Sequence, residues 1–402
     1  SVSWARRCVI RDSHNTWYEF KNNKWNEMQK AHSLITKIPT ELVEKFEELA
    51  SFYTLKLGEA KTEDNQLKWK TKLKNVMIVI NKCKDDTFQN KVISQAKHLF
   101  FDPEFENRLD SNPFLLGCEN GVYDLKNHQF RNGRPDDYLS MSTRCKFKKY
   151  DRNSENAKAI FDFFLKIQPI DHIREYVLTV LASCLDGHNA YERFYIGTGS
   201  GSNGKSKMVE LMKEAIGDYA ANLPISLLTQ NRSASNAASP ELARLKGTRF
   251  VTLQEPKEDA KMNTGLLKEL SGGDMIYARP LYKSPVEFKP QFQLLLLCNQ
   301  KPTISSNDGG TWRRIRVLDF LTKFCGKPKA PNEIKGDPMI SEKIKEWGSD
   351  FLGILVEYYK IYSKSGIDEP REVMMSTTSY KEVNDVYGLF IKDHIVEDSK
   401  SK

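Results

Sequence analysis

A glycine-rich segment in the middle of the chain constrains the fold more than any other feature. Residues 199–206 read Gly-Ser-Gly-Ser-Asn-Gly-Lys-Ser and match the G-x-x-x-x-G-K-S pattern of a phosphate-binding loop. Glycines let successive backbone amides point at a phosphate, the lysine reaches the β- and γ-oxygens, and the serine hydroxyl binds Mg²⁺. The candidate nucleotide-binding residues are therefore Gly199, Ser200, Gly201, Ser202, Asn203, Gly204, Lys205 and Ser206.

The residues on either side of this loop have the periodicity that the motif requires. Before it, the apolar run 194–196 predicts a buried strand. After it, apolar residues recur at helical spacing from Met208 to Ile216, and Gly217 predicts the end of that helix. The order strand, loop, helix favours a nucleotide site over the alternative, a flexible Gly/Ser linker.

Composition places the chain among ordinary globular proteins and leaves its partners open. It has 402 residues, 39% of them apolar and 28% charged, and no apolar run approaches the length of a membrane span. The seven cysteines include no C-x-x-C pair, which argues against structural zinc and disulfides. A net charge of +8 permits a nucleic-acid partner but does not require one. The start at Ser1 rather than Met is typical of an excised fragment.

The chain is predicted to have four parts. They are an N-terminal mixed α/β module (1–110), a helical region (111–187), an α/β nucleotide-binding core (188–326) and a C-terminal helical domain (327–402). A hairpin is predicted around Asn22-Asn23, and residues 327–338, rich in Pro, Gly and Lys, predict a linker. Apolar spacing predicts helices over 41–49, 73–81, 91–99, 156–165, 172–185, 344–358 and 380–391.

Two apolar strands downstream of the loop end in polar residues that suit ATP hydrolysis. The strand from Arg249 ends at Glu255, a carboxylate that can hold Mg²⁺ or polarise the attacking water. Many ATPases have two acids at this point, whereas Gln254 stands in one of the two places here, so the metal and water roles of Glu255 stay open. The strand 291–298 ends at Asn299, which is predicted to sense the γ-phosphate, although Asn is also a common turn residue.

Three arginines precede or begin a further strand. Arg313, Arg314 and Arg316 are candidates for an arginine finger, a guanidinium that stabilises charge on the γ-phosphate bound by a neighbouring subunit. The alternative is structural pairing with Asp319 or with acidic N-terminal helices, and some of the three are expected to do only that.

Between the two polar-ended strands, residues 270–288 predict an exposed hairpin. Its tip carries Arg279 and Lys283 beside Tyr277 and Tyr282. Cations interleaved with aromatic rings suit single-stranded nucleic acid, because phosphates bind the cations and bases stack on the rings. An ordinary solvated hairpin is an equally good explanation of this segment taken alone.

Taken in order, these motifs resemble a superfamily-3 helicase of the viral AAA+ type. The closer resemblance is to the helicase half of the poxvirus-type primase-helicases of nucleo-cytoplasmic large DNA viruses, and segments 112–125 and 134–140 resemble its helicase-associated region. The implied fold is an AAA+-like P-loop NTPase core, preceded by a collar-type α/β module and a helical region and followed by a helical domain. The implied enzyme is an ATP-dependent DNA helicase of viral genome replication.

The resemblance also implies partners and residue roles. It implies a homo-oligomeric ring, usually a hexamer, which hydrolyses ATP with Mg²⁺ between subunits and moves along single-stranded or forked DNA, 3′ to 5′ in most relatives. It implies an upstream primase domain, other replication proteins, no membrane partner, and action in the host cytoplasm, with the nucleus or virion as alternatives. Carried over by position, Lys205 and Ser206 bind ATP and Mg²⁺. Glu255 holds the metal or polarises the attacking water, and Asn299 senses the γ-phosphate. Arg313 or Arg314 becomes the finger, with Arg316 in reserve, and Arg279, Tyr282 and Lys283 contact DNA.

Two other classes of protein compete with this interpretation. A small-molecule kinase normally acts as a monomer with arginines in its own lid, whereas the arginines here suit a finger acting between subunits. A DNA-loading or packaging scaffold would bind ATP only to assemble, and strand displacement from a forked duplex separates it from a helicase.

Overall fold

The computed structural model describes residues 8–10, 16–29, 31–229, 239–254, 260–281, 285–305, 308–385 and 388. Two compact units are present, one containing residues 1–21 and 25–109 and the other containing 22–24 and 110–402. The finer division of residues 111–402 into three domains stays a prediction. None of the described helices is long and apolar enough to cross a membrane.

Strands and helices alternate along most of the described chain. The strands are β1 (Cys8–Ile10), β2 (Thr16–Lys21), β3 (Lys24–Gln29), β4 (Leu115–Cys118), β5 (Gly121–Asp124), β6 (Gln129–Arg131), β7 (Phe194–Thr198), β8 (Ala220–Asn222), β9 (Phe250–Gln254), β10 (Ile276–Ala278), β11 (Val286–Phe288), β12 (Gln293–Cys298), β13 (Ile315–Asp319), β14 (Lys323–Cys325) and β15 (Glu333–Lys335). The α-helices are α1 (His32–Lys37), α2 (Val43–Glu59), α3 (Glu63–Cys83), α4 (Asp86–Phe100), α5 (Phe105–Arg108), α6 (Glu155–Ile167), α7 (Asp171–Ser183), α8 (Lys205–Ile216), α9 (Ser226–Thr229), α10 (Pro240–Ala243), α11 (Thr264–Ser271), α12 (Gly309–Trp312), α13 (Ile340–Ser365) and α14 (Arg371–Asn384).

The first unit combines a small antiparallel sheet with helices. The sheet has the order β1-β2-β3. The predicted turn between β2 and β3, whose residues 22–24 are counted with the second unit, is confirmed: Asn22 and Asn23 have φ of 55° and 63°, the left-handed values that a tight hairpin turn needs. Three of the helices, α2, α3 and α4, confirm the helices predicted over 41–49, 73–81 and 91–99 and extend beyond them. The core of the unit is formed by Trp17, Leu34, Ile38, Val43, Val76, Ile80 and Ile93, among others.

The second unit is built around a five-stranded sheet in the order β13-β7-β12-β9-β8, and every neighbouring pair in it is parallel. The predicted α/β class is therefore confirmed, and the sheet is parallel. All six residues of β12 are buried, as expected for a strand covered on both faces. This strand lies between β7, which precedes the phosphate loop, and β9, which precedes Glu255.

Alternate residues of these strands belong to two separate cores, because side chains point to opposite faces of a sheet in turn. On one face, Tyr195 and Leu295 pack with residues of α6, α7, α8 and α13. On the other face, Ile196 and Leu296 pack with residues of α11 and with Tyr380 of α14. Helices on both faces leave the carboxyl edge of the sheet as the place where loops from neighbouring strands meet.

Two predictions about the C-terminal part need correction. The proposed linker 327–338 contains β15, which pairs in parallel with β14. The Glu333 carboxylate fixes this segment by accepting hydrogen bonds from the backbone N–H groups of Lys329 and Ala330. The helix predicted over 380–391 begins earlier, at Arg371, and ends at Asn384; most of the predicted range beyond Asp385 lies outside the described residues.

Candidate functional site

The glycine-rich loop joins β7 to α8 and turns sharply just before the helix. Gly201, Ser202 and Gly204 have φ of 93°, 52° and 81°. A Cβ on Gly204 would lie 2.3 Å from Cγ2 of Ile167, so both the backbone angle and the space require glycine there. The loop is fixed from the other side, since Asn203 Nδ2 donates to the carbonyl of Thr322 at 2.6 Å. The loop that leads into α8 is thereby held in place, and the first amides of a helix, which have no partner within the helix, suit an anion.

Lys205, the first residue of α8, is a buried cation, and its hydrogen-bond partners in the described chain are all uncharged. Its side chain is 7% exposed, and Nζ donates to Gly199 O at 3.4 Å, to Asn203 Oδ1 at 3.2 Å and to Asn299 Oδ1 at 3.4 Å. Within the described residues it has no carboxylate partner. Burial lowers its pKa from the usual lysine value, because desolvation disfavours the ammonium form. An uncompensated ammonium beside free helix amides fits a bound anion such as a phosphate.

The strand order brings Asn299, the predicted γ-phosphate sensor, next to the phosphate loop. β12 lies beside β7, with Cys298 opposite Thr198, so Asn299 follows directly at the carboxyl edge next to the loop. The predicted proximity of Asn299 to the loop is present, as its contact with Lys205 shows. Burial raises the pKa of the neighbouring Cys298 thiol to about 11, so this thiol is protonated at neutral pH and is a poor nucleophile.

A cavity of about 280 Å³ lies over these groups. It is lined by loop residues 201–207 together with Gln254, Leu297, Cys298 and Asn299. Gln254 ends β9 opposite Leu297. Glu255, the next residue and the predicted carboxylate, lies outside the described residues.

Ser206 and Glu255 are the predicted metal ligands, and only Ser206 lies among the described residues. Ser206 is exposed in the first turn of α8, and its hydroxyl borders the cavity. Among the described residues no group of three or more His, Cys, Asp or Glu side chains could hold a metal by itself. A hydroxyl at the mouth of an anion site suits Mg²⁺ that is bound mainly by phosphate oxygens and water.

The three arginines occupy different environments. Arg314 and Arg316 have side chains that are only 10% and 7% exposed. Arg314 binds Glu192 at 2.6 Å, and Arg316 makes two bonds to Glu369, at 2.7 and 2.8 Å, rather than the pairing with Asp319 considered above. Their guanidinium groups serve the structure of this chain. Arg313 shares Glu192 at 3.1 Å and, at 64%, has the most exposed side chain of the three.

The predicted hairpin is present as β10 and β11, with Tyr277 opposite Glu287. Tyr277 is 54% exposed, and Arg279 is exposed just beyond β10. The backbone of Arg279 is fixed by Ser239, whose N–H donates to Arg279 O at 2.9 Å. Tyr282 and Lys283, the other predicted DNA contacts, lie outside the described residues.

Sequence reasoning missed a second cavity that adjoins the phosphate loop. It measures about 270 Å³, shares Ser202, Gly204 and Lys207 with the first cavity, and is lined by the rings of Phe163, Phe324 and Trp347. Asp337 also lines it, and Lys343 at 2.6 Å holds the pKa of this carboxyl below its usual value. Flat aromatic walls with a carboxylate acceptor suit a heterocyclic base. These residues come from α6, α13 and the segment around β14 and β15, so no local motif indicated them.

Comparison with known families gives two matches. A family described as "D5 N terminal like" matches residues 4–169. A family described as "Family of unknown function (DUF5906)" matches residues 198–314, which include the phosphate loop, Asn299 and the first two arginines.

Three viral proteins show what the chain is similar to. "Putative helicase L207/L206" of Acanthamoeba polyphaga mimivirus is 42% identical over 399 residues, covering 96% of this chain and 41% of that protein. "Putative helicase 022R" of Frog virus 3 is 26% identical and covers 78% of this chain and 40% of that protein. "Putative primase C962R" of African swine fever virus (isolate Tick/Malawi/Lil 20-1/1983) is 28% identical. The match covers 79% of this chain and 34% of that protein. The chain thus spans between 34% and 41% of the length of these relatives.

Proposed function

This chain belongs to the primase-helicase family of nucleo-cytoplasmic large DNA viruses, as part of the helicase portion, and from that premise we propose that it is an ATP-dependent DNA helicase of viral genome replication. The observation that carries the proposal is Lys205, a buried ammonium that has no acidic partner among the described residues and that contacts Asn299 at the carboxyl edge of a parallel sheet. This arrangement supports a superfamily-3, AAA+-like ATPase core.

Each residue of the loop has a distinct task in the proposed ATPase site. The amides of residues 200–206 and Lys205 bind the β- and γ-phosphates of ATP, and the Ser206 hydroxyl holds Mg²⁺. The metal supplies charge neutralisation at the transferred phosphoryl group. Glu255 polarises the attacking water or assists the metal, and Asn299 orients the water or the γ-phosphate. The reaction needs little covalent help from the protein, so fixed positive charge and positioning supply most of the rate.

We further propose that the base of ATP occupies the cavity lined by Phe163, Phe324 and Trp347. Aromatic rings there can stack on adenine, and the Asp337 carboxylate can accept a hydrogen bond from its amino group. The shared lining residues Ser202 and Gly204 place this cavity within reach of a nucleotide whose phosphates lie on the loop.

Hydrolysis is proposed to occur between subunits of a homo-oligomeric ring, usually a hexamer, with Arg313 as the finger. Arg313 precedes β13, whose Ile315 is opposite Phe194 at the start of β7, whereas the loop follows Thr198 at the other end. At about 3.3 Å per residue the intervening strand is about 13 Å long. Arg313 therefore stands far from the phosphate site of its own subunit and is available to another.

Single-stranded or forked DNA is the proposed substrate, and the β10–β11 hairpin is its proposed contact. The family membership also leads us to propose partners and a location. The partners are a primase domain encoded upstream and other replication proteins, and the location is the replication site in the host cytoplasm.

Replacing Arg279 or Lys283 by Ala is expected to separate hydrolysis from unwinding. Each change removes one phosphate contact, so the slope of log affinity for single-stranded DNA against log salt falls by about 0.7 per contact. DNA-free ATP hydrolysis stays at the wild-type rate, whereas unwinding of a forked duplex is lost. Lys289→Ala, an exposed cation at the base of the same hairpin, is the matched control. Normal unwinding by both hairpin variants would remove this hairpin from the mechanism.

A further inference from the structure

Helices α2 and α3 carry three aromatic rings at one end of the first unit. The centroid of Trp69 lies 6.4 Å from that of Phe52 and 5.7 Å from that of Tyr53, and the latter two are 5.8 Å apart. Phe52 is 47% exposed and Trp69 is partly buried, and neither belongs to the core of the unit, whereas the partly buried Tyr53 packs against that core. The rings therefore form a cluster that contacts the core through Tyr53 and reaches the surface through Phe52 and Trp69.

Lysine side chains surround this aromatic cluster. The ammonium of Lys72 lies 4.8 Å from the Trp69 ring centroid and 5.6 Å from that of Tyr53. The ammonium of Lys68 lies 5.5 Å from the Trp69 ring, and that of Lys56 lies 5.9 Å from the Phe52 ring. Such cation–π contacts hold the ammonium groups beside the ring faces at little cost in solvation. We call Phe52, Tyr53, Lys68, Trp69 and Lys72 the aromatic–lysine surface.

The charge of α3 is strongly one-sided along its length. Its two acids, Glu63 and Asp64, lie in the first turn, where they offset the helix dipole. From Leu67 to Cys83 the helix carries five lysines and no acid. Four of these lysines (68, 70, 72 and 74) are exposed, and in the part of the chain that the structure describes none of the four has an ion pair.

We propose that the aromatic–lysine surface binds single-stranded DNA, as a second contact apart from the β10–β11 hairpin. Lysines in a row attract the phosphate backbone, and clustered rings offer stacking faces to unpaired bases whatever their sequence. A contact between two copies of this surface would bring like charges together, which favours the polyanion as its occupant. The inference rests on the proposed helicase function, because it assigns a DNA contact to the family's N-terminal region.

The test measures binding of fluorescein-labelled oligothymidine to the whole chain over a series of salt concentrations. The double variant Lys68→Gln, Lys72→Gln is expected to reduce the slope of log affinity against log salt by about 1.4, because two phosphate contacts on a single strand are lost. Trp69→Leu is expected to weaken binding about tenfold through lost stacking. The control is Lys91→Gln, Lys126→Gln, which removes the same charge from exposed positions elsewhere and leaves the slope unchanged.

Three other outcomes would overturn the inference, each in its own way. If the wild type binds oligothymidine but the double variant binds it as the control does, the surface has no role in DNA binding. If the double variant instead changes the sedimentation coefficient without DNA, the surface is a contact between subunits. If the wild type itself neither binds oligothymidine nor hydrolyses ATP, the proposed function fails and this inference fails with it. Thermal unfolding of each variant shows that the surface substitutions leave the fold intact.

Discussion

Lys205→Met is expected to abolish ATP hydrolysis while leaving the protein at least as stable as the wild type. Losing one fixed positive group at the transferred phosphate costs about 10²- to 10³-fold or more in kcat. Stability does not suffer, because desolvation of the buried ammonium is unfavourable and no acidic side chain in the described part of the chain pairs with it. Methionine fills nearly the same volume, whereas alanine would leave a cavity.

The stability difference between Lys205→Met and the wild type is expected to depend on pH in a definite direction. The pKa of Lys205 is lower in the folded protein than in the unfolded chain. The free-energy cost of burying its ammonium is therefore fully present below the folded-state pKa. It falls as the pH rises from the folded-state pKa to the unfolded-state pKa. The stability difference between Lys205→Met and wild type, measured by urea unfolding, should therefore shrink at alkaline pH. Lys213→Met, on the same helix but outside the cavity lining, serves as the control and should hydrolyse ATP normally. If Lys205→Met hydrolyses ATP at nearly the wild-type rate, residues 199–206 are not the phosphate-binding loop.

Arg313→Ala is expected to lower hydrolysis by about 10³- to 10⁵-fold, the effect of losing an arginine finger. Folding should be unaffected, because Glu192 keeps Arg314 as a partner when Arg313 is removed. Mixing Arg313→Ala with Lys205→Met, two variants that are inactive alone, should restore part of the hydrolysis, because an Arg313→Ala subunit keeps its own phosphate loop and can receive Arg313 from a Lys205→Met neighbour. The measurement is the steady-state rate across a mixing series. No recovery at any ratio would show that the arginine acts within its own subunit.

Arg314→Ala provides a contrast within the same segment. Its guanidinium is nearly buried, binds Glu192 at 2.6 Å and donates to Gly310 O at 2.8 Å. Removing this nearly buried side chain leaves a space behind it and leaves Gly310 O without this donor, so this variant should lose stability as well as activity. Thermal unfolding thus separates the two adjacent arginines, which an activity assay alone would not.

The parts of the site that could be predicted from sequence are those encoded by contiguous residues. The loop needs glycine at Gly204 for local reasons, both its φ and its close approach to Ile167. Asn299 could be placed because an unbroken apolar run before it predicts a buried strand, and parallel strands end at a common edge. The Asn22-Asn23 turn is equally local.

Other parts depend on residues far apart in the sequence. The structural role of Arg316 is set by Glu369, and that of Arg314 by Glu192, neither of which the arginine cluster itself indicates. The base-sized cavity joins Phe163 to Trp347 through the packing of α6 and α13 on one face of the sheet. The short strand β15 lies in a segment whose Pro and Gly content favours a loop, and only its pairing with β14 makes it a strand.

Displacement of a labelled strand from a forked DNA duplex tests the proposed helicase activity most directly. It is measured in wild type and Lys205→Met, with ATP and with a non-hydrolysable analogue, in the presence of Mg²⁺. The wild type should release the strand only with ATP, and Lys205→Met should release none under either condition. Strand release by Lys205→Met, or equal release with the analogue, would contradict an ATP-driven helicase. Hydrolysis by the wild type without any strand release would instead identify a loading or packaging ATPase.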